Sequence, residues 1–189
     1  GGIVSPIKRS ALLIASLTAL LLSLGMVFTR YLFHDKIYTL GDITKYSSGN
    51  VALLGIIPKY ANDIPVSQLI VDKNPKALIS EAFRTVRTNL SFIDSSPGTK
   101  IVSITSTISG EGKTFVAINI AGVLAFTGKK VVIIDLDMRK PKIHKGFGVH
   151  NNIGMSTILT GITNVDECYN NSPMDNLKFI TAGPSPPNP

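Results

Sequence analysis

The stretch "KIVSITSTISGEGKTFVAINIAGVLAFTG", residues 100–128, limits the possible folds of this chain more than any other. A run of β-branched residues, "KIVSITS" (100–106), leads straight into a glycine-rich turn. "KTFVAINIAGVLAFTG" (113–128) follows the turn. The first run reads as a strand, and the second as a helix stopped by Gly128. Strand, glycine turn and Lys-Thr opening a helix form the context that cradles phosphate. Gly110 and Gly112 let the backbone turn tightly and aim N–H groups at phosphate oxygens, and the helix N-terminus adds partial positive charge. Lys113 is placed to reach the β- and γ-phosphates, and Thr114 to set its hydroxyl on Mg²⁺. Thr107 stands where the commonest phosphate loops have their first glycine. A β-branched residue disfavours positive φ, so the loop is expected to enter in a β-like conformation.

The next apolar run, "KVVIIDLD" (130–137), has the character of a strand covered on both faces. Asp135 and Asp137 lie two apart at its carboxyl end, where α/β sheets place their ligands. Alternation along a strand sends both side chains to one side. Two carboxylates beside a triphosphate can hold Mg²⁺ through waters, or one can take a proton from an attacking hydroxyl. The plain alternative is a pair of solvated strand-end aspartates. Arg139 and Lys140 either contact phosphate or are solvated, and spacing does not choose. "MSTILTG" and "NVDECY" read as short helical pieces, and "LKFITAG" (177–183) as a third strand. Strand, helix, strand, helices, strand indicates a parallel α/β sheet.

Upstream, residues 11–28, "ALLIASLTALLLSLGMVF", carry no charge. As a helix they span about 27 Å at about 1.5 Å per residue, near the hydrocarbon thickness of a bilayer. Lys8 and Arg9 flank one end, and Arg30 and Lys36 the other, so charge counting alone does not orient a span. A downstream nucleotide site would place that side in the cytoplasm. Residues 36–50 read as a polar connector. "VALLGIIP" (51–58) reads as a short strand, and 59–76 as linker. Residues 76–93 form an amphipathic helix pattern with Leu78, Ala82, Phe83, Val86 and Leu90 on its apolar face. Glu81, Arg84 and Arg87 step by three along it within an arc of about 120°. From spacing alone that stripe reads as a solvated face.

The 189 residues hold 19 Lys+Arg against 12 Asp+Glu, a formal +7, which suits an anionic partner. The basic residues are scattered without a base-stacking aromatic pattern, so no nucleic acid is expected. Cys168 is the only cysteine, so no internal disulfide can form.

Taken in order, these pieces resemble the bacterial tyrosine kinases fused to polysaccharide co-polymerases, the chain-length determinants of capsule and exopolysaccharide export. "LGMVFTRYLFHDKIYTLGDI" resembles the second membrane helix and its exit, and "VALLGIIP" the entry to the kinase domain. "SEAFRTVRTNL" resembles the family's E-x-x-R-x-x-R helix, "STISGEGKTF" its Walker A and "VVIIDLDMRKP" its Walker A′. The resemblance implies an α/β, P-loop NTPase parallel sheet with flanking helices, preceded by one transmembrane helix. It implies three regions: a membrane helix with flanks (1–35), a juxtamembrane connector (36–75) and the N-terminal part of a kinase domain (76–189). ATP and Mg²⁺ are the implied cofactors. Ser109, Gly110, Glu111, Gly112, Lys113, Thr114, Phe115 and Arg139 would contact nucleotide. Thr114, Asp135 and Asp137 would serve the metal, and Lys113, Asp135 and Asp137 the transfer of the γ-phosphoryl to tyrosine. Glu81, Arg84 and Arg87 would line the subunit contact of a homo-oligomeric ring at the plasma membrane, working with the export machinery.

The family's Walker B strand and tyrosine-rich tail have no counterpart here. The chain is therefore expected to be a fragment that binds nucleotide without a complete active site. Two rivals stand beside the kinase reading. A partitioning ATPase of the MinD or ParA type would carry a further lysine at position 108, which is Ile108. A co-polymerase subunit could use the same nucleotide domain as an assembly switch.

Overall fold

A computed structural model describes residues 8–33, 41, 43, 51–60 and 68–186. The flanks at 1–7 and 34–35, the expected connector apart from 41 and 43, and part of the expected linker (61–67) lie outside them. The chain divides into two units, Gly1–Leu53 and Leu54–Pro189.

The first unit contains one long helix, α1 (Lys8–Leu32), with a mean hydropathy of 2.4 over its most apolar window. None of its residues is buried. Its polar side chains look after themselves: the hydroxyls of Ser16, Thr18, Ser23 and Thr29 each donate to the carbonyl three residues back, at 2.8–2.9 Å. That habit removes unpaired hydroxyl donors from an apolar surface. At about 1.5 Å per residue the helix runs about 37 Å, long and apolar enough to cross a membrane.

The second unit is a small α/β structure. Its helices are α2 (Ile70–Lys73), α3 (Leu78–Ile93), α4 (Lys113–Ala125), α5 (Ile143–Phe147) and α6 (Met155–Leu159), with a 3₁₀ turn at Val165–Cys168. Strands β1 (Val131–Ile134), β2 (Asn170–Asn171) and β3 (Leu177–Ile180) form a sheet in the order β1-β3-β2. β1 and β3 are parallel, with Val131 opposite Leu177 and Ile134 opposite Ile180. β2 adds a two-residue antiparallel edge, so the sheet is mixed rather than wholly parallel.

The core lies between β1–β3 and the helices. Phe83 from α3, Ile118 from α4 and Phe179 from β3 are fully buried, and Phe147 stacks on Phe179 with ring centroids 4.2 Å apart. α4 is apolar on all sides, as a helix covered by several neighbours must be. On α3 the buried positions are Ile79, Ser80, Phe83 and Val86, whereas Leu78 is exposed. The expected apolar face is therefore rotated toward Ile79, because Leu78 opens the first turn before the helix meets its partners.

Three expected elements differ. Residues 101–106 form no strand and pair with none among the described residues, and Ile101 is 96% exposed. A β-branched run becomes a strand only when a neighbour accepts its backbone hydrogen bonds. "VALLGIIP" likewise forms no ladder; the Leu54 carbonyl is taken at 2.8 Å by the Asn89 side chain. Finally, part of the supposed linker is core: Leu69, Ile70 and Val71 are buried against α4.

Asn119 makes that last contact possible. Fully buried, it accepts the N–H groups of Ile70 and Val71 on Oδ1 at 2.7 and 3.1 Å. Its Nδ2 donates to the carbonyls of Gln68 and Phe115, each at 2.9 Å. Replacing it strands the two buried N–H groups of Ile70 and Val71 and the Gln68 carbonyl, whereas the Phe115 carbonyl keeps its bond within the helix. Asn119→Ala is expected to lower stability by about 3 kcal/mol, read as a drop in the denaturation midpoint. A change below about 0.5 kcal/mol would contradict this account of the 68–71 segment.

Candidate phosphate-binding site

The site forms where the loop before α4 faces the turn after β1. Gly110 and Gly112 have φ of 100° and 95°. A Cβ at either would meet nothing within 4 Å, so backbone conformation rather than crowding calls for glycine. Gly112 caps α4, and the first helical bond runs from the Val116 N–H to the Gly112 carbonyl at 2.9 Å. The N–H groups of the first turn have no partner within a helix and carry its positive end.

Ser109, Gly110, Gly112, Lys113 and Thr114 line one wall of a small pocket; Asp137, Lys140 and Lys142 line the other. Lys113 Nζ reaches across to Asp137 Oδ2 at 2.7 Å. This pair and its lysine partner hold the Asp137 carboxyl below the usual carboxylate range, helped by the backbone N–H of Lys140.

Asp135 behaves differently. It is buried, and its carboxylate accepts the backbone N–H of Asp137 at 3.1 Å and of Ile143 at 3.3 Å. Burial pushes its pKa up, against the pull of those backbone donors. The last bond to β3 runs from the Asp135 N–H to the Ile180 carbonyl at 3.0 Å, and beyond it the Asp135–Asp137 contact is an Asx-type turn. Strand alternation therefore no longer applies at 135–137. The two carboxylates do not share one face: Asp137 lines the pocket and Asp135 sits beneath the loop and pins it.

The other expected contacts sort in the same way. The Glu111 carboxylate is turned back on its own loop, where it accepts the Ile108 N–H at 3.1 Å. The Phe115 ring belongs to the core, tilted against Phe83 at 5.8 Å and Tyr60 at 6.5 Å, which leaves only its backbone near the phosphate side. Arg139 is exposed and does not line the pocket. Lys140 and Lys142, on either side of Pro141, do. The clue in the sequence was the run "RKPK" after Asp137, but nothing in spacing ranks its three cations. Away from this pocket, Glu81 pairs with Arg84 one turn along α3, and Arg84 also donates to the Pro75 carbonyl at 2.7 Å. Arg87 follows on the same stripe, half-buried.

The CbiA family, described as the CobQ/CobB/MinD/ParA nucleotide-binding domain, matches residues 102–182. The tyrosine-protein kinase YwqD of Bacillus subtilis is 41% identical over 121 residues, 64% of this chain and 51% of that protein. A putative tyrosine-protein kinase from the cps region of Klebsiella pneumoniae is 34% identical over 98% of this chain and 27% of its own length. The kinase domain of the Escherichia coli tyrosine kinase ETK superposes with a TM-score of 0.71 at 26% identity, covering 81% of this chain and 63% of that one. Its homologues are bacterial tyrosine-protein kinases. The second unit has the α/β fold of a P-loop domain, and the chain spans about half the length of the Bacillus relative and about a quarter of the Klebsiella one.

The carboxylate pair makes a signed pH prediction. Asp137, with its folded pKa depressed by Lys113, contributes stability that is present above its ordinary pKa of 3.8 and lost as pH falls through the lower folded value. Asp135 has the opposite sign, since its raised pKa favours the protonated folded form as pH falls. Melting temperatures of wild type and Asp137→Asn, compared from pH 7 downward, are expected to differ at neutral pH and to converge below pH 3.8. A constant offset across the range would show that the Lys113 pair is not the source.

Proposed function

We propose that this chain carries the phosphate-binding part of an ATP-dependent protein tyrosine kinase that regulates polysaccharide chain length and export at the plasma membrane. The observation that carries this reading is the pocket between the 109–114 loop and the 137–142 turn, where Lys113 and Asp137 face each other. A glycine loop, a helix N-terminus and lysines suit the polyphosphate of ATP. The Thr114 hydroxyl and the Asp137 carboxylate offer hard oxygens on the same rim, the donor chemistry that Mg²⁺ prefers. Bound there, the ion would neutralise the developing charge of phosphoryl transfer.

The residues then divide the work. Lys113 binds and orients the transferred phosphoryl group once Asp137 releases it. Asp137 turns toward the metal side, and Asp135 holds the loop that carries Asp137 and is the more basic of the two carboxylates. A tyrosine hydroxyl from a neighbouring subunit would enter opposite the phosphate loop. The Glu81, Arg84 and Arg87 stripe on α3 leaves its apolar side to the core and is offered to a second copy of the chain, forming a ring. α1 would anchor the assembly in the membrane, with 1–35 as anchor, 36–75 as connector and 76–189 as kinase portion.

A second reading keeps the same pocket but uses nucleotide to drive assembly rather than phosphorylation. The MinD/ParA alternative survives only at the level of the shared domain family, since position 108 is an exposed isoleucine.

Binding of a fluorescent ADP analogue by the detergent-solubilised chain tests the site. Lys113→Ala is expected to weaken it by about 100-fold, in line with about 3 kcal/mol for a charge-assisted contact. Equal binding by the variant would remove the pocket from consideration. Phosphotyrosine formed from radiolabelled ATP separates the two readings: nucleotide-dependent oligomerisation with no phosphotyrosine in the complete protein favours the assembly switch.

A further inference from the structure

The charges around the pocket do not add up as a phosphate loop alone would suggest. Lys113 is paired with Asp137, so the loop's own cation is neutralised within the site. Glu111 is spent on the Ile108 N–H, and Asp135 is buried under the turn. The cations left on the pocket wall are Lys140 and Lys142, and neither has an ion-pair partner among the described residues.

Their backbone is held in place. Asp137 Oδ1 accepts the Lys140 N–H at 3.1 Å, and Asp135 Oδ2 accepts the N–H of Ile143, next to Lys142, at 3.3 Å. Between the two lysines, Pro141 fixes its own φ and restricts Lys140 to extended conformations. Both strand-end aspartates thus stake down a short rigid loop that presents two flexible ammonium groups to one pocket.

We propose that Lys140 and Lys142 are the residues that first attract the polyphosphate tail of a nucleoside di- or triphosphate, before Lys113 is freed from Asp137. This rests on the nucleotide-binding reading above and adds an order of events to it. An arriving phosphate meets two uncompensated positive charges at the rim, where field lines concentrate in a cleft. Once seated, it competes with Asp137 for Lys113. Arg139, exposed and off the pocket wall, takes no part.

The test is equilibrium and stopped-flow binding of a fluorescent ADP analogue to the whole chain in metal-free buffer, at several salt concentrations. Lys140→Ala/Lys142→Ala is expected to bind about ten-fold more weakly at low salt, through a slower on-rate and with a shallower salt dependence. Lys140→Arg/Lys142→Arg keeps the charge and is expected to retain binding, as is Arg139→Ala. An unchanged on-rate and salt slope in the double alanine variant overturns the proposal while leaving the nucleotide site intact. Failure of the arginine variant to restore binding overturns it too, because charge would not be the cause. Absence of binding by the wild-type chain removes both this proposal and the reading it rests on.

Discussion

The buried amide of Asn119 is the contact on which the second unit depends. α4 has to do two things at once. Its first turn must point at phosphate, and its flanks must be covered by apolar neighbours. The segment 68–71 covers one flank, but an irregular segment brings backbone N–H and carbonyl groups that the interior does not tolerate unpaired. Asn119 takes up two of those donors and one of those acceptors, with its fourth bond closing on α4 itself at Phe115. Gly122, one turn further, has no side chain, and a Cβ there would fall within 2.7 Å of both Leu69 and Val71. Phe115, in the first turn, then anchors α4 to Phe83 and Tyr60. The direction in which Lys113 leaves the helix is set by these contacts behind it.

On the opposite wall, one turn gives two identical side chains different properties. Asp135 is drawn into the interior by backbone donors and has its pKa raised by burial. Asp137 stays at the surface and has its pKa lowered by Lys113. The difference comes from where the strand stops. Had the strand continued through Asp137, both would have pointed the same way. Because Asp135 folds back on the Asp137 N–H, one carboxylate becomes a structural anchor and the other a partner for cations.

The parts of this arrangement that were legible in the sequence are local ones. Residues 78–93 and 113–125 have the periodicity or the glycine and capping context that make a helix, and 131–134 and 177–180 were legible as strands, but β1 is covered on one face rather than the expected two, with Val132 and Ile134 44% and 50% exposed. The phosphate loop was legible because its chemistry is carried by the backbone and two adjacent side chains. Less legible were features that need a neighbour. The run 101–106 has strand composition but no ladder among the described residues, and Leu69–Val71, which sit within a proline-marked linker, are core. The choice of Lys140 and Lys142 over Arg139 for the pocket wall turns on a rigid proline loop pinned from below, which spacing does not reveal.

The sequence by itself determined that a phosphate loop opens a helix in an α/β domain, and that a separate apolar helix of membrane-spanning length precedes it. Those follow from short-range rules: backbone sterics at glycine, side-chain periodicity, and length against bilayer thickness. Only the tertiary structure decided which of the charged residues face one another. Lys113 and Asp137 are far apart in the chain and meet because β1 and α4 pack on the same core. Asp135, two residues from Asp137, is lost to the pocket because a turn buries it. Charge placement of this kind depends on burial and on distances between elements, and neither is written in any one stretch of residues.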